Sequence, residues 1–144
     1  ESHQLQSYHQ HLSRPKNPPK HKGNLYLSGV DCLKYPIKEN FGINCVLSII
    51  DSEKFHLFKV KDKVEGNKIE EHKWIDILDY EDQTIYPHLE ESHSYIKDNL
   101  EKHNVLVHCQ LGMSRSSSLV IAFMMKEFGF SFEKARILQK TGDP

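Results

Sequence analysis

The sequence predicts an α/β domain in which helices flank a mostly parallel central sheet. Residues 43–50 and 105–107 are apolar runs containing β-branched side chains, a pattern typical of strands buried on both faces. An amphipathic helix that lies on the sheet is indicated by four residues spaced by four, three and four positions, which are Leu89, His93, Ile96 and Leu100. Strands that alternate with helices form parallel sheets, and such sheets bind ligands at the C-terminal ends of their strands.

Shorter patterns supply the first elements of the domain. Residues 25–27 predict a strand, and residues 28–29 close it. A short helix is expected within residues 31–41, and Gly42 ends it because glycine commonly terminates helices.

The stretch from 51 to 71 has the weakest pattern in the chain. Within it, residues 55–60 predict a strand and residues 65–67 predict a turn. Residues 74–78 predict the next strand, which places Asp79 at the C-terminal end of that strand.

The last two predicted helices follow the central strand. Residues 115–128 predict a long helix with so little polar surface that we expect it to be buried almost all round. A final helix is expected to begin near Ser131 and to turn Phe132, Ala135 and Leu138 towards the core.

Composition narrows the class of protein. The 144 residues suffice for one domain, and 27% charged with 38% apolar residues is ordinary for a soluble globular chain. A formal net charge of −1 gives no general field for a polyanion, so a nucleic-acid partner is not expected. No apolar run approaches the length of a membrane span. Three widely spaced cysteines favour a reducing compartment, the cytoplasm or the nucleus, over a disulfide framework.

The N-terminal residues differ in composition from the rest. Residues 1–22 are polar and contain three prolines, so we expect a flexible leader, followed by one domain over residues 23–144. Metal contact by His9 and His11, and docking of residues 14–20 to a partner, are alternatives that we rank below a solvated tail. Because the chain begins at Glu1 and shows no secretory signal, we expect a fragment of a longer protein.

One loop carries the chemistry that the sequence predicts. It joins the strand at 105–107 to the helix at 115–128, begins with Cys109 and ends with Arg115. Backbone N–H groups of such a loop and of the helix start favour the binding of an anion. An arginine can donate hydrogen bonds to two phosphate oxygens at once. The same surroundings lower the pKa of a thiol below its usual value of about 8.5. The loop is therefore expected to bind a phosphate and to aim a thiolate at it, which is nucleophilic catalysis.

The residues of this loop resemble a known signature. His108, Cys109, Gly112, Arg115 and Ser116 match the HCxxGxxR[ST] pattern of the cysteine-dependent phosphatases. The Ser-Arg-Ser ending is similar to the dual-specificity branch of that family. An accidental match on a buried, inert cysteine is disfavoured because an apolar site would not place an arginine and three serines beside it.

The resemblance implies a general acid upstream of the nucleophile. Four carboxylates are candidates: Asp76, Asp79, Glu81 and Asp82. The family places its acid in an Ile-x-Ile-x-Asp pattern, which residues 75–79 match with Asp79 in the acid position. Asp82 ranks second, although a solvated loop carboxylate is the simpler interpretation of that residue.

The resemblance also implies roles for the remaining loop residues. His108 is expected to orient the loop and keep Cys109 acidic. Ser116 is expected to hydrogen-bond the sulfur, although it can instead cap the junction of loop and helix. Gly112 permits a close approach to phosphate. Backbone N–H groups that bind the phosphate are expected from Gln110, Leu111, Met113 and Ser114.

The resemblance extends over residues 24–140 and implies a protein phosphatase. Such an enzyme would hydrolyse phosphotyrosine and phosphoserine or phosphothreonine through a phosphocysteine, with no metal or other cofactor. Its partner would be a phosphorylated protein, a kinase being one possibility, while the oligomeric state stays open. The family continues beyond the last predicted helix, so the catalytic domain at 23–144 is expected to be truncated at its C-terminus.

Several alternatives rank lower. Phosphatases of phosphoinositides or RNA 5′ ends usually carry basic residues inside the loop, where this chain has Gln110, Leu111, Met113 and Ser114. A phosphoprotein-binding module usually lacks the nucleophile that Cys109 provides, and a sulfur-transfer enzyme usually lacks the Gly and Arg-Ser pattern. A protective disulfide of Cys109 with either other cysteine is conceivable, but buried inert thiols are the favoured interpretation.

Overall fold

The computed structural model describes residues 6–8, 22–77, 86–110 and 115–135, with side chains over 22–77, 87–110 and 118–135. Within these ranges one sheet contains five strands: β1 (Gln6–Tyr8), β2 (Leu25–Ser28), β3 (Ile43–Ile49), β4 (Glu71–Ile75) and β5 (Asn104–His108). Their spatial order is β1-β2-β5-β3-β4. β1 pairs antiparallel with β2, and all other pairings are parallel. The predicted mostly parallel sheet, with residues 105–107 in its central strand, is confirmed.

Helices cover both faces of the sheet. One face carries a 3-10 helix (Val30–Lys34), α1 (Ile37–Phe41), α2 (Ser52–Leu57) and α3 (Val60–Gly66). The other face carries α4 (Tyr86–Leu100) and α5 (Arg115–Phe128), followed by a helical turn at 132–135. The predicted fold class, a sheet flanked by helices, is therefore confirmed.

Strand β5 contributes to the core on both sides. Val105 and Val107 pack with α4 and α5, whereas Leu106 packs with the 3-10 helix and α1 to α3, because successive side chains of a strand alternate between faces. All three side chains are fully buried. The strand that leads to Cys109 is thus packed on both faces.

The first helical connection agrees with the prediction, although it consists of two helices. The 3-10 helix and α1 are separated by Tyr35 and Pro36, and Gly42 follows α1 with a φ of 68°. That left-handed conformation strains any residue with a Cβ, so glycine is suited to end α1 here.

The predicted strand at 55–60 is wrong, because this stretch belongs to α2 and α3. Asp51 accepts a hydrogen bond from the Lys54 N–H and caps α2, which favours a helix over a strand. Lys59 adopts a φ of 52° between the two helices. Phe55 and Val60 are buried beneath them. The turn predicted at 65–67 coincides with the end of α3 and its cap, Asn67.

The strand predicted at 74–78 exists but lies earlier, at Glu71–Ile75. It pairs with β3 from Cys45 opposite Glu71 to Ile49 opposite Ile75. Because β3 ends at Ile49, no partner continues the ladder beyond Ile75. Ile77 is nevertheless buried in the core without belonging to the strand.

The amphipathic helix predicted from its spacing is confirmed as α4. Ile96 and Leu100 are fully buried, and Leu89 packs against the same core cluster. His93 lies on the same face, where its Nε2 is 2.9 Å from Oε1 of Glu127 on α5.

Two expectations about the C-terminal helices are wrong. α5 has the predicted bounds but is not buried all round, since it covers only one face of the sheet and turns Met125 and Lys126 to solvent. Phe132 is 55% exposed rather than packed inward, whereas Ala135 is buried as expected. Leu138 lies outside the described residues.

The predicted leader contains one element of structure. Gln6, Ser7 and Tyr8 form β1 opposite Leu27, Tyr26 and Leu25 of β2. These three residues therefore depart from the expectation of a flexible leader.

Candidate active site

The nucleophile predicted from the sequence lies at the end of the central strand. Cys109 directly follows His108, the last residue of β5, and is 5% exposed. Strands β2 and β3 flank β5, and α5 begins at Arg115. The predicted strand and helix are therefore present on either side of the signature residues, with the thiol at the C-terminal end of a parallel strand.

A neighbouring segment holds the start of the loop. The N–H of Val30, the first residue of the 3-10 helix, donates to the carbonyl oxygen of Gln110 at 3.0 Å. Val30 is buried, so this bond is shielded from water. The backbone immediately after Cys109 is thereby fixed to the connection that follows β2.

Behind Cys109, His108 is enclosed in a buried polar cluster. Its Nε2 lies 2.6 Å from Oγ of Ser48, and its Nδ1 lies 3.0 Å from the carbonyl oxygen of Cys109. The Ser48 oxygen is also 2.8 Å from Nε2 of His72. Burial lowers the pKa of both histidines to about 4, so both rings are neutral near pH 7.

Asp76, one of the four candidate acids, has a different partner. Its Oδ1 accepts a hydrogen bond from the Ser52 N–H at 2.9 Å, at the N-terminus of α2. The first N–H groups of a helix have no partner within it, and the Asp76 carboxylate supplies one for Ser52. This contact favours a structural role for Asp76.

The other predicted site residues divide into two groups. Asp79, Glu81 and Asp82 lie outside the described residues, as do Leu111, Gly112, Met113 and Ser114. Arg115 and Ser116 begin α5, and their side chains are outside the described part of the structure. The roles assigned to these residues stay predictions.

The two remaining cysteines are buried thiols. Burial raises the pKa of both Cys32 and Cys45 to about 12, and the Cys45 thiol donates to the Tyr95 hydroxyl at 3.2 Å. Since the thiolate is the reactive form, both side chains are expected to be inert. None of the three cysteines forms a disulfide.

Among the described residues, no group of three or more His, Cys, Asp or Glu side chains is arranged to hold a metal ion.

No helix in the described ranges has both the length and the apolar character needed to span a bilayer.

Sequence reasoning missed Ser48 and His72. The available signal was the hydroxyl of Ser48 within the apolar run at 43–50, because a buried polar side chain requires a partner. Nothing in the sequence marks His72, whose position depends on the register of β4 against β3.

Comparisons with known proteins agree with the signature. Residues 25–141 match the family described as "Dual specificity phosphatase, catalytic domain". The chain is 44% identical over 63 residues to the putative tyrosine phosphatase 123R of Invertebrate iridescent virus 6, covering 43% of this chain and 44% of that protein. It is 37% identical over 70 residues to the MAP kinase phosphatase with leucine-rich repeats protein 2 of Dictyostelium discoideum, covering 49% of this chain and 10% of that protein. The matches thus span less than half the length of these curated relatives.

A solved structure has the same fold. The human tyrosine phosphatase-like serine/threonine/tyrosine-interacting protein superposes with a TM-score of 0.72 at 24% identity, covering 81% of this chain and 78% of that one. The family match spans most of the chain and includes the loop from Cys109 to Arg115. The chain therefore belongs to the dual-specificity phosphatases, a family of cysteine-dependent protein phosphatases within the protein tyrosine phosphatase superfamily.

Proposed function

We propose that the protein hydrolyses phosphotyrosine and phosphoserine or phosphothreonine in proteins through a phosphocysteine on Cys109. One observation carries the proposal: a buried thiol lies directly after central strand β5, shortly before the residue at which α5 begins. The N–H groups at the start of a helix attract a phosphate, and the proposal assigns the phosphate a position between those groups and the Cys109 sulfur.

The reaction has two steps. In the first, the Cys109 thiolate attacks phosphorus, an S–P bond forms, and the P–O bond to the substrate breaks. Asp79 gives a proton to the leaving oxygen. In the second step water attacks phosphorus, the S–P bond breaks, and inorganic phosphate and the thiolate are released. Arg115 is assigned to the phosphate oxygens, and Ser116 to the sulfur as it leaves.

Protein substrates follow from the family, and a kinase is the proposed class of substrate. The Dictyostelium discoideum relative is named as a MAP kinase phosphatase. We assign the protein to the cytoplasm or the nucleus, because three cysteines that form no disulfide suit a reducing compartment.

The proposal is tested by turnover of an aryl phosphate without metal at slightly acidic pH. Wild type is expected to be active and Cys109→Ser inactive, while the matched control Cys45→Ser, which changes a buried thiol far from the loop in sequence, retains activity. Peptides carrying phosphotyrosine or phosphothreonine then test dual specificity. Activity that persists in Cys109→Ser contradicts the proposal, and so does an inactive, folded wild type.

A further inference from the structure

A hydrogen-bonded chain of three side chains runs across the sheet behind Cys109. It passes from His72 on β4 through Ser48 on β3 to His108 on β5, with N–O distances of 2.8 and 2.6 Å. From His108 it continues to the carbonyl oxygen of Cys109 at 3.0 Å. Three neighbouring strands thus connect a half-buried ring to the main chain of the nucleophile.

The chemistry of the four groups fixes the direction of every hydrogen bond. A carbonyl oxygen only accepts, so Nδ1 of His108 must carry the proton in that bond. Nε2 of the neutral ring is then an acceptor, and the Ser48 hydroxyl donates to it. The Ser48 oxygen in turn accepts from Nε2–H of His72. Each of the three side chains therefore donates once in a single direction, towards Cys109.

The sheet register holds the chain in place. Ser48 lies directly opposite His108, and both side chains are completely buried. His72 is placed by the parallel pairing of β4 with β3, and its ring stacks on Phe55 of α2 at 6.1 Å between centroids. The sheet pairing and this ring contact together hold the three side chains within hydrogen-bonding distance of one another.

We propose that Ser48 and His72 are positioning residues of the active site, because they fix His108 in the Nδ1–H tautomer that holds the Cys109 carbonyl. The catalytic consequence rests on the proposed phosphatase function, whereas the tautomer does not. Without the Ser48 hydroxyl, Nε2 of His108 becomes a buried acceptor with no donor. The free energy of the His108 ring is then lowered if the ring turns or if its proton moves to Nε2. Either change breaks the hydrogen bond from His108 to the Cys109 carbonyl. A loosened Cys109 no longer points its sulfur reproducibly at phosphorus.

Two substitutions at His72 separate the hydrogen bond from the packing. His72→Phe keeps a ring against Phe55 but removes the donor, whereas the amide of His72→Gln can donate at nearly the position of Nε2. With an aryl phosphate, His72→Phe is expected to lower kcat about fivefold with KM within about twofold, and His72→Gln is expected to stay within about twofold of wild type. Equal kcat values for the two variants would overturn the proposal.

Ser48 is tested against a neighbour that makes no hydrogen bond through its side chain. Val46 lies two residues earlier on β3, faces the same layer and is fully buried. Ser48→Ala is expected to lower kcat about tenfold, while Val46→Ala, which only removes packing, leaves kcat within about twofold at a temperature where both are folded. Equal loss in both variants would reduce the role of Ser48 to packing.

Imidazole nitrogen NMR provides a readout that needs no activity. Wild type is expected to show His108 protonated only on Nδ1 and His72 protonated on Nε2, and His72→Phe is expected to broaden or shift the His108 nitrogens. A His108 protonated on Nε2 in wild type overturns the proposal even if the enzyme is active. Conversely, a wild type without phosphatase activity but with the expected tautomers refutes the proposed function and leaves the hydrogen-bonded chain intact.

Discussion

Val30 and Gln110 are joined by a main-chain hydrogen bond of 3.0 Å that ties the residue after the nucleophile to the start of the 3-10 helix. Gly29, which precedes Val30, is extended with φ −87° and ψ 178°. Proline is tolerated at the first position of a helix and after an extended residue. At Val30 a proline can therefore remove the N–H that donates to Gln110 while the backbone keeps nearly the same conformation.

Val30→Pro is expected to weaken binding of inorganic phosphate about fivefold, because the lost bond loosens Gln110 and the N–H groups that follow it. Competitive inhibition of aryl phosphate turnover by inorganic phosphate measures this effect. Val30→Ala retains the N–H and loses only packing, so its inhibition constant is expected to match wild type. Equal constants for the two variants would show that the Val30–Gln110 bond does not shape the phosphate site.

The buried His108 gives a pH dependence to stability. Its pKa is lowered from 6.5 to about 4, because burial disfavours the charged ring. As the pH falls through 6.5, the unfolded chain accepts a proton that the folded protein does not, so the free energy of unfolding decreases towards pH 4. Once the pH is below about 4, the titration of His108 has lowered the free energy of unfolding by roughly 3 kcal/mol relative to neutral pH.

Denaturant unfolding between pH 7 and pH 5 tests this linkage. His108→Asn removes the titrating ring, while its amide can still donate to the Cys109 carbonyl, so its stability is expected to fall less steeply than that of wild type. Parallel curves for the two proteins over this range would contradict the assignment of a neutral, buried His108.

Asp79→Asn tests the general acid. Turnover of an alkyl phosphate, whose leaving oxygen needs a proton, is expected to fall by about 10²-fold or more, whereas a substrate with a nitrophenolate leaving group should lose far less. Asp82→Asn is the matched control and is expected to affect both substrates equally and weakly. Equal losses with both leaving groups in Asp79→Asn would remove that residue from the acid role.

Gly23 secures the junction between α4 and β2. Its N–H donates to the Leu100 carbonyl at 2.8 Å, and a Cβ at this position would collide with the carbonyl group of His103. Gly23→Ala is therefore expected to lower the free energy of unfolding by about 2 kcal/mol or more. Gly66→Ala, where a Cβ meets no atom within 4 Å, is expected to be neutral or to stabilise by about 0.5–1 kcal/mol. Thermal unfolding of the two variants measures this difference. An equal loss of stability in both would show that the contact of Gly23 with His103 does not limit side-chain size at this position.

The sequence predicts those elements whose signal is local. β3, β5 and α5 follow from apolar runs long enough to identify buried strands and a helix, and the signature around Cys109 follows from residue types at fixed spacing. The structure places these elements where the sequence predicts them, because each one carries its own hydrophobic pattern.

Other features depend on partners that are distant in the chain. Phe55 and Val60 suit a strand by composition, but the cap at Asp51 and the turn at Lys59 make this stretch helical. β4 ends at Ile75 because β3 ends opposite it. The contact of Ser48 with His108 joins residues 60 positions apart and requires the β3–β5 register, which no local pattern contains.

Covalent catalysis by Cys109 is tested most directly by capture of the phosphocysteine intermediate. The protein is mixed with an aryl phosphate, quenched in acid within its first turnovers and analysed by mass spectrometry of its peptides. A phosphate on Cys109 that forms in wild type, accumulates in Ser116→Ala and is absent in Cys109→Ser is the predicted result. Turnover without any phosphorylated Cys109, or with the phosphate on another residue, would contradict the account.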